Sequence, residues 1–194
     1  MVGRTYSRID DALARWIAAQ PMFFVGTAPL DPDGHVNVSP KGPIGTLRIV
    51  SPTEVAYLDL VGSGAETAAH VQENGRIVVM LCAFAGAPRI VRLHGRGDVV
   101  WAEDPRFAAL AETMAFDEPE VAESQRAIVR VDVTRIADSC GFGVPLMEHV
   151  GERPNAGKWA RGKLAKGGPD ALDAYKRDKN QHSIDGLPAW SPSG

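Results

Sequence analysis

The sequence predicts a mainly β protein with flanking helices, built as an antiparallel barrel. Three observations point there. Six or seven strand-like segments of alternating or β-branched character are joined by hairpin-length turns. Few helical segments fall between them, whereas a doubly wound parallel sheet needs one at most crossovers. The 194 residues give room for one sizeable domain and are marginal for two.

The elements follow in order. Ser7 to Gln20 reads as a helix, with Ser7 as its cap and Asp10 in capping-box position. Ile9, Leu13, Trp16 and Ile17 share one face, and Pro21 ends it. Met22 to Ala28 and His35 to Ser39 form a hairpin around Asp33-Gly34. Thr46 to Val50 and Glu54 to Leu60 pair across Ser51-Pro52. Residues 64–74 are helical and close at Asn74-Gly75. Arg76 to Phe84 and Arg89 to Trp101 are long strands, and Gly95 and Gly97 mark a bulge or bend in the second. Pro105 to Met114 is a helix, and Ala127 to Ile136 is the last core strand. The barrel domain is expected over 1–150, with 151–194 a helical or irregular extension of it. Residues 152–182 carry eight Lys or Arg against four Asp or Glu, as surface helices or an arm toward a partner would.

Composition excludes several classes. A net charge of −3 argues against a nucleic-acid binder, which would show a basic face. No apolar run reaches the roughly 18 residues of a membrane span. The start, MVGRTYSRIDD, has no apolar secretory core, and Cys82 and Cys140 form no close pair, so a cytoplasmic protein with reduced thiols is expected. The five histidines show no metal-binding spacing, and no metal is expected. Cys140 is either a reactive thiol or, the preferred reading, a small buried hydrophobe, and Trp16, Trp101 and Phe23 read as core. Trp159 and Trp190, in polar stretches, read as caps on an interface or ligand edge.

One local motif invites a dinucleotide-binding reading: a strand, then Gly62-Ser63-Gly64, then a helix. Thr67 replaces its third glycine, and Leu81 to Phe84 stand where an acidic ribose ligand belongs, so that reading fails. Two readings survive. The segment is a plain helix cap, or its free N–H groups and the Ser63 and Thr67 hydroxyls receive a phosphate. His70 lies one turn after Glu66 and either bonds to it on the helix surface or meets a ligand.

Taken in order, MFFVGTAPLDPDGHVNVSPKG, VAYLDLVGSGAETAAHVQENGRIVVMLCAF, PRIVRLHGRGDVV and SCGFGVP resemble the pyridoxamine 5′-phosphate oxidase-related FMN-binding family. The likeness is greatest to its GSG-x-ET-x-x-H and SCG-x-GVP subgroup, covers roughly residues 8–150, and continues weakly into the tail Ser183-Ile184-Asp185-Gly186-Leu187-Pro188. It implies a six-stranded FMN-binding split barrel that forms a homodimer, with the cofactor at the subunit interface. Residue by residue it implies a cofactor site of Asn37, Ser39, Lys41, Ser63, Gly64, Glu66, Thr67, His70, Arg89 and Arg92, and names no catalytic residue. The sequence departs from the true oxidases in having Val36 where they carry arginine, and Ser63-Gly64-Ala65-Glu66-Thr67 where they carry a Ser-Arg-Lys cluster. These departures argue against pyridoxamine phosphate oxidation itself. The expectation is an FMN-dependent oxidoreductase acting on a small substrate. The alternative is a non-catalytic carrier or sensor of flavin, deazaflavin F420 or haem.

Overall fold

The computed structural model describes residues 3–116 and 119–191. The elements are β1 (Thr5–Tyr6), α1 (Asp11–Ala18), β2 (Phe23–Thr27), β3 (Asn37–Lys41), β4 (Leu47–Ser51), β5 (Glu54–Leu60), α2 (Glu66–Asn74), β6 (Arg76–Cys82), β7 (Ile90–Trp101), α3 (Phe107–Thr113), a 3-10 turn (Pro119–Ser124), β8 (Gln125–Ser139), α4 (Asn155–Gly167) and α5 (Ala171–Lys179). All strand pairings are antiparallel, in the order β3-β2-β6-β7-β8-β5-β4.

The sheet has eight strands rather than the six expected. The addition with no counterpart in the sequence reading is β1. Strand β8 is long enough to outrun β5, whose pairing ends at Asp132, and the edge left over receives Thr5 and Tyr6 opposite Ala137 and Ile136. A two-residue strand has no alternation to detect.

Alternate residues of the strands point into one core. Phe23, Val25, Val55, Tyr57, Ile77, Val79, Leu81, Val91, Leu93, Val129, Val131 and Val133 meet there. Each such side chain stabilises the fold by about 1.5–3 kcal/mol. The two outer strands, β3 and β4, do not pair. Helix α1 buries Leu13 and Ile17 in the same core beside this split, and an apolar cleft of about 450 Å³ remains there, lined by Ile17, Phe23, Ile44, Leu47 and Ile49 among others. The far face of β5 and β8 is covered by Met114 and Phe116 after α3, which close on Ala56, Leu58 and Ile128.

Several boundaries differ from expectation for identifiable reasons. Helix α1 is capped by Asp10, not Ser7: the Asp10 carboxylate accepts from the Leu13 amide at 2.8 Å. Strand β3 begins at Asn37, two residues beyond His35, because the His35 amide is held by Asp185. The expected close of α2 is present, with Gly75 at φ 72° donating to Val71 O. The expected irregularity in β7 is also present. The register shifts between His94 and Gly95, where a side chain would place Cβ 2.2 Å from Asp132 O. Cys140 is exposed, contrary to the buried reading, because β8 ends at Ser139 and the chain leaves the core. Among the described residues, no helix is long and apolar enough to cross a membrane.

Candidate functional site

The site is assembled where the ends of β2 and β3, the start of α2 and the C-terminal tail meet. Asn37, Ser39 and Lys41 occupy alternate positions of β3 and so share one face, forming a polar track about 13 Å long. At its Asn37 end the hydrogen bonds are continuous. Ser39 Oγ donates to Asn37 Oδ1 (2.8 Å), and Asn37 Nδ2 donates to Thr27 Oγ1 (3.1 Å) and Thr67 Oγ1 (3.0 Å). Thr27 Oγ1 lies 3.0 Å from His70 Nδ1.

His70 is fully buried, and its Nε2 has no partner within the protein among the described residues. Burial lowers its pKa, outweighing the nearby charges of Asp185, Glu66 and Glu73, which act to raise it. The ring is therefore neutral at pH 7, with one nitrogen engaged and one buried polar atom uncommitted. The helix-surface bond to Glu66 that the spacing allowed is replaced by the bond to Thr27.

At the Lys41 end lies a buried ion cluster. Lys41 Nζ contacts Asp59 Oδ1 at 2.6 Å, and Arg126 grips Asp59 Oδ2 through Nη2 at 2.6 Å and Nε at 2.8 Å. Burial works to raise the Asp59 carboxyl, but the attractions of Arg126 and then Lys41 together outweigh it and hold it at about 2. Arg126 Nη1 also reaches the Gly62 and Gly64 carbonyls, at 3.3 and 2.8 Å. The cluster thus connects Lys41 to the loop that leads into α2. Ala65, the residue before that helix, supplies no side-chain cap, and Glu66 places a carboxylate in its first turn beside Gly64, so its leading N–H groups have no side chain capping them.

The C-terminal tail closes the other side. Asp185 accepts from the His35 amide (2.8 Å) and pairs with His35 Nδ1 (2.7 Å). Ala189 packs with Ala65, Ala68 and Ala69 around α2. Trp190 is buried with Lys176 Nζ 4.9 Å from its ring centre, so it anchors the tail rather than edging a ligand. Trp159 is half-buried against Tyr175 in the α4–α5 hairpin, ring centres 4.8 Å apart.

Of the residues expected at the site, Asn37, Ser39, Thr67 and His70 come together. Ser63 and Gly64 lie exposed on the adjoining loop, and Glu66 opens α2 half-buried. Lys41 is on the track but bound to Asp59. Arg89 and Arg92 belong to a different cluster. Arg89 bonds Tyr6 Oη (2.9 Å) and Asp138 (3.1 Å) and lies over Trp16, while Arg92 donates to Ser139 Oγ (3.1 Å). Thr27, Asp59, Arg126, Asn180 and Asp185 were not foreseen. Asp59 left a signal, since a carboxylate in the apolar run Val55–Leu60 requires a buried partner. Asp185 lies in the tail segment 183–188 that the resemblance reaches weakly, and Asn180 left no signal.

The fold is an antiparallel split barrel, with the uncapped start of α2 beside β3. The model of the pyridoxamine 5′-phosphate oxidase family matches residues 9–140, and the chain belongs to that family. A protein of Aspergillus flavus described as the pyridoxamine 5′-phosphate oxidase family protein ustO is 39% identical over 196 residues, spanning 94% of this chain and 76% of the relative. Among solved structures, the H111A form of Group A Streptococcus HupZ aligns with a TM-score of 0.53 at 18% identity, over 68% of this chain and 99% of that one. A second HupZ structure gives 0.51 at 19% identity, over 66% and 91%. These two likenesses concern the fold.

Proposed function

We propose that the protein binds FMN along β3 and at the start of α2, and serves as a flavin-dependent oxidoreductase acting on a small substrate other than pyridoxamine phosphate. Family membership over residues 9–140 motivates the cofactor. The observation that carries the site is the uncapped start of α2 beside the Ser39–Asn37–Thr67 hydrogen bonds and the uncommitted His70 Nε2. This donor set fits a phosphate and a polyhydroxylated chain: backbone amides and Ser63 for the phosphate, Asn37, Ser39 and Thr67 for hydroxyls. Bound FMN would supply a two-electron acceptor, and the protein would supply position and exclusion of water.

Lys41 is the cation on the track, and its charge is shared with Asp59. Arg89 and Arg92, tied to the Asp138 and Ser139 cluster, would bound the ring or substrate from the β7 side. A homodimer with the cofactor at the interface is part of the proposal. Phe142, Leu146 and Val150 are 73, 80 and 92% exposed on the segment after β8, as a surface awaiting a second copy would be. Light scattering after size exclusion should give twice the chain mass, and a monomer at all concentrations would remove the dimer from the account.

The second reading, a non-catalytic carrier, is favoured by the Lys41–Asp59 pair, which leaves the phosphate to be held mostly by neutral donors. Anaerobic mixing of the FMN-loaded protein with NADH or NADPH separates the two. Bleaching of the flavin band that returns in air supports an oxidoreductase. Stable binding without bleaching by either donor supports the carrier. A Soret band in the purified protein would point to haem, and a displaced visible maximum to F420.

A further inference from the structure

The family match ends at residue 140, yet the tail beyond it reaches back into the proposed phosphate loop. Asn180 Nδ2 donates to Gly62 O (2.8 Å) and Ser63 O (3.4 Å), and Arg126 Nη1 holds Gly62 O and Gly64 O. Three successive carbonyls are therefore drawn toward the interior. In a planar trans peptide the N–H points opposite to the C=O. The amides of Ser63, Gly64 and Ala65 therefore face away from Arg126 and Asn180, on a loop where Ser63 and Gly64 are exposed. Among the described residues these three amides donate to no group of the protein. Outward amides leading into a helix start are donors for an anion, and an anion there also meets the Glu66 carboxylate, whose Oε2 lies 3.0 Å from where a Cβ on Gly64 would sit.

Asn180 is itself firmly placed. It is fully buried at the end of α5, its amide donates to Lys176 O (2.7 Å), and its carbonyl accepts from the Trp190 amide (2.9 Å). Its Oδ1 is buried without a partner. An asparagine kept in this position at the cost of an unsatisfied oxygen is held for what its Nδ2 does, which is to orient the loop.

We infer that Asn180, carried by the C-terminal tail, is a positioning residue for phosphate: with Arg126 it turns the 62–64 carbonyls inward so that the following amides receive the anion. The inference rests on the FMN reading above. FMN and riboflavin differ by the phosphate alone, so their affinities, measured by fluorescence quenching on the full chain, separate this role from a general one. In the Asn180→Ala variant, FMN affinity should fall about tenfold while riboflavin affinity changes less than about twofold. Asn180→Ser, which keeps one donor, should lie between. An unchanged FMN-to-riboflavin ratio in a wild type that prefers FMN would overturn the role of Asn180 and leave the FMN reading intact. Equal losses for both ligands with a lowered melting temperature would overturn it too, as plain destabilisation. A wild type with no preference for FMN would remove the phosphate site itself. Should both variants fail to fold, the wild type decides: the Asn180 side-chain amide resonance should move with FMN and stay with riboflavin, and its standing still with FMN would overturn the inference.

Discussion

Replacing Asp59 by asparagine tests the ion cluster that joins Lys41 to the phosphate loop. Asp59 and Arg126 are 6% and 5% exposed, so removing the carboxylate leaves a guanidinium buried without its counter-charge. Breaking one side of such a pair costs about 3–5 kcal/mol. For a chain of this size that lowers the melting temperature by about 10 °C. The acid response gives a second, independent magnitude. The folded Asp59 carboxyl is held at about 2 against an ordinary 3.8, so the unfolded chain takes up the proton first as pH falls. The resulting contribution, roughly 2–3 kcal/mol, is complete above about pH 4 and is lost progressively as pH drops toward 2. Urea unfolding of wild type and Asp59→Asn at pH 7 and through the acid range measures both. The variant should be less stable at pH 7 and lack this part of the acid slope. A loss below about 1 kcal/mol at pH 7, or an acid slope equal to that of the wild type, would mean that Asp59 is not held by the cluster as described.

Three further outcomes are expected. Gly95→Ala would press Cβ against Asp132 O at the bulge of β7, and should cost about 1–3 kcal/mol in denaturant unfolding; a neutral effect would mean that the bulge relaxes freely. Lys41→Ala should weaken FMN binding about tenfold, and an unchanged dissociation constant would assign Lys41 to the Asp59 pair alone. Asp185→Ala removes the bonds to His35 that hold the tail on the loop before β3. Amide exchange at Ser183 and Ala189 should then accelerate, while exchange at the β7–β8 core stays as it was; equal protection before and after would show that Trp190 anchors the tail unaided.

Much of the architecture was legible because it rests on local chemistry. The alternation in β8, the Asn74-Gly75 close of α2 and the glycine at the β7 bulge each carry a signal of a few residues. The candidate site was half legible. Asn37, Ser39, Thr67 and His70 fall on short motifs that the resemblance picks out, and the structure gathers them. Lys41 lay on the same motif, but whether its charge is free depends on Asp59 and Arg126, 18 and 85 positions further along the chain. Arg89 and Arg92 were placed by resemblance, and their partners Tyr6, Asp138 and Ser139 come from the first and last strands. The tail was illegible for the same reason. Asn180 sits 118 positions from Gly62, in a stretch whose composition speaks only of solvent. Cys140 misled because the strand that would have buried it ends one residue earlier.

Titration of the purified protein with FMN, followed by flavin fluorescence quenching and absorbance, decides whether the chain holds the cofactor. Saturation is expected at one FMN per chain with a dissociation constant on the order of micromolar or tighter, with weaker binding of riboflavin. Failure to quench FMN at concentrations far above micromolar would contradict it, and would mean that neutral donors and a shared lysine do not suffice to hold the phosphate.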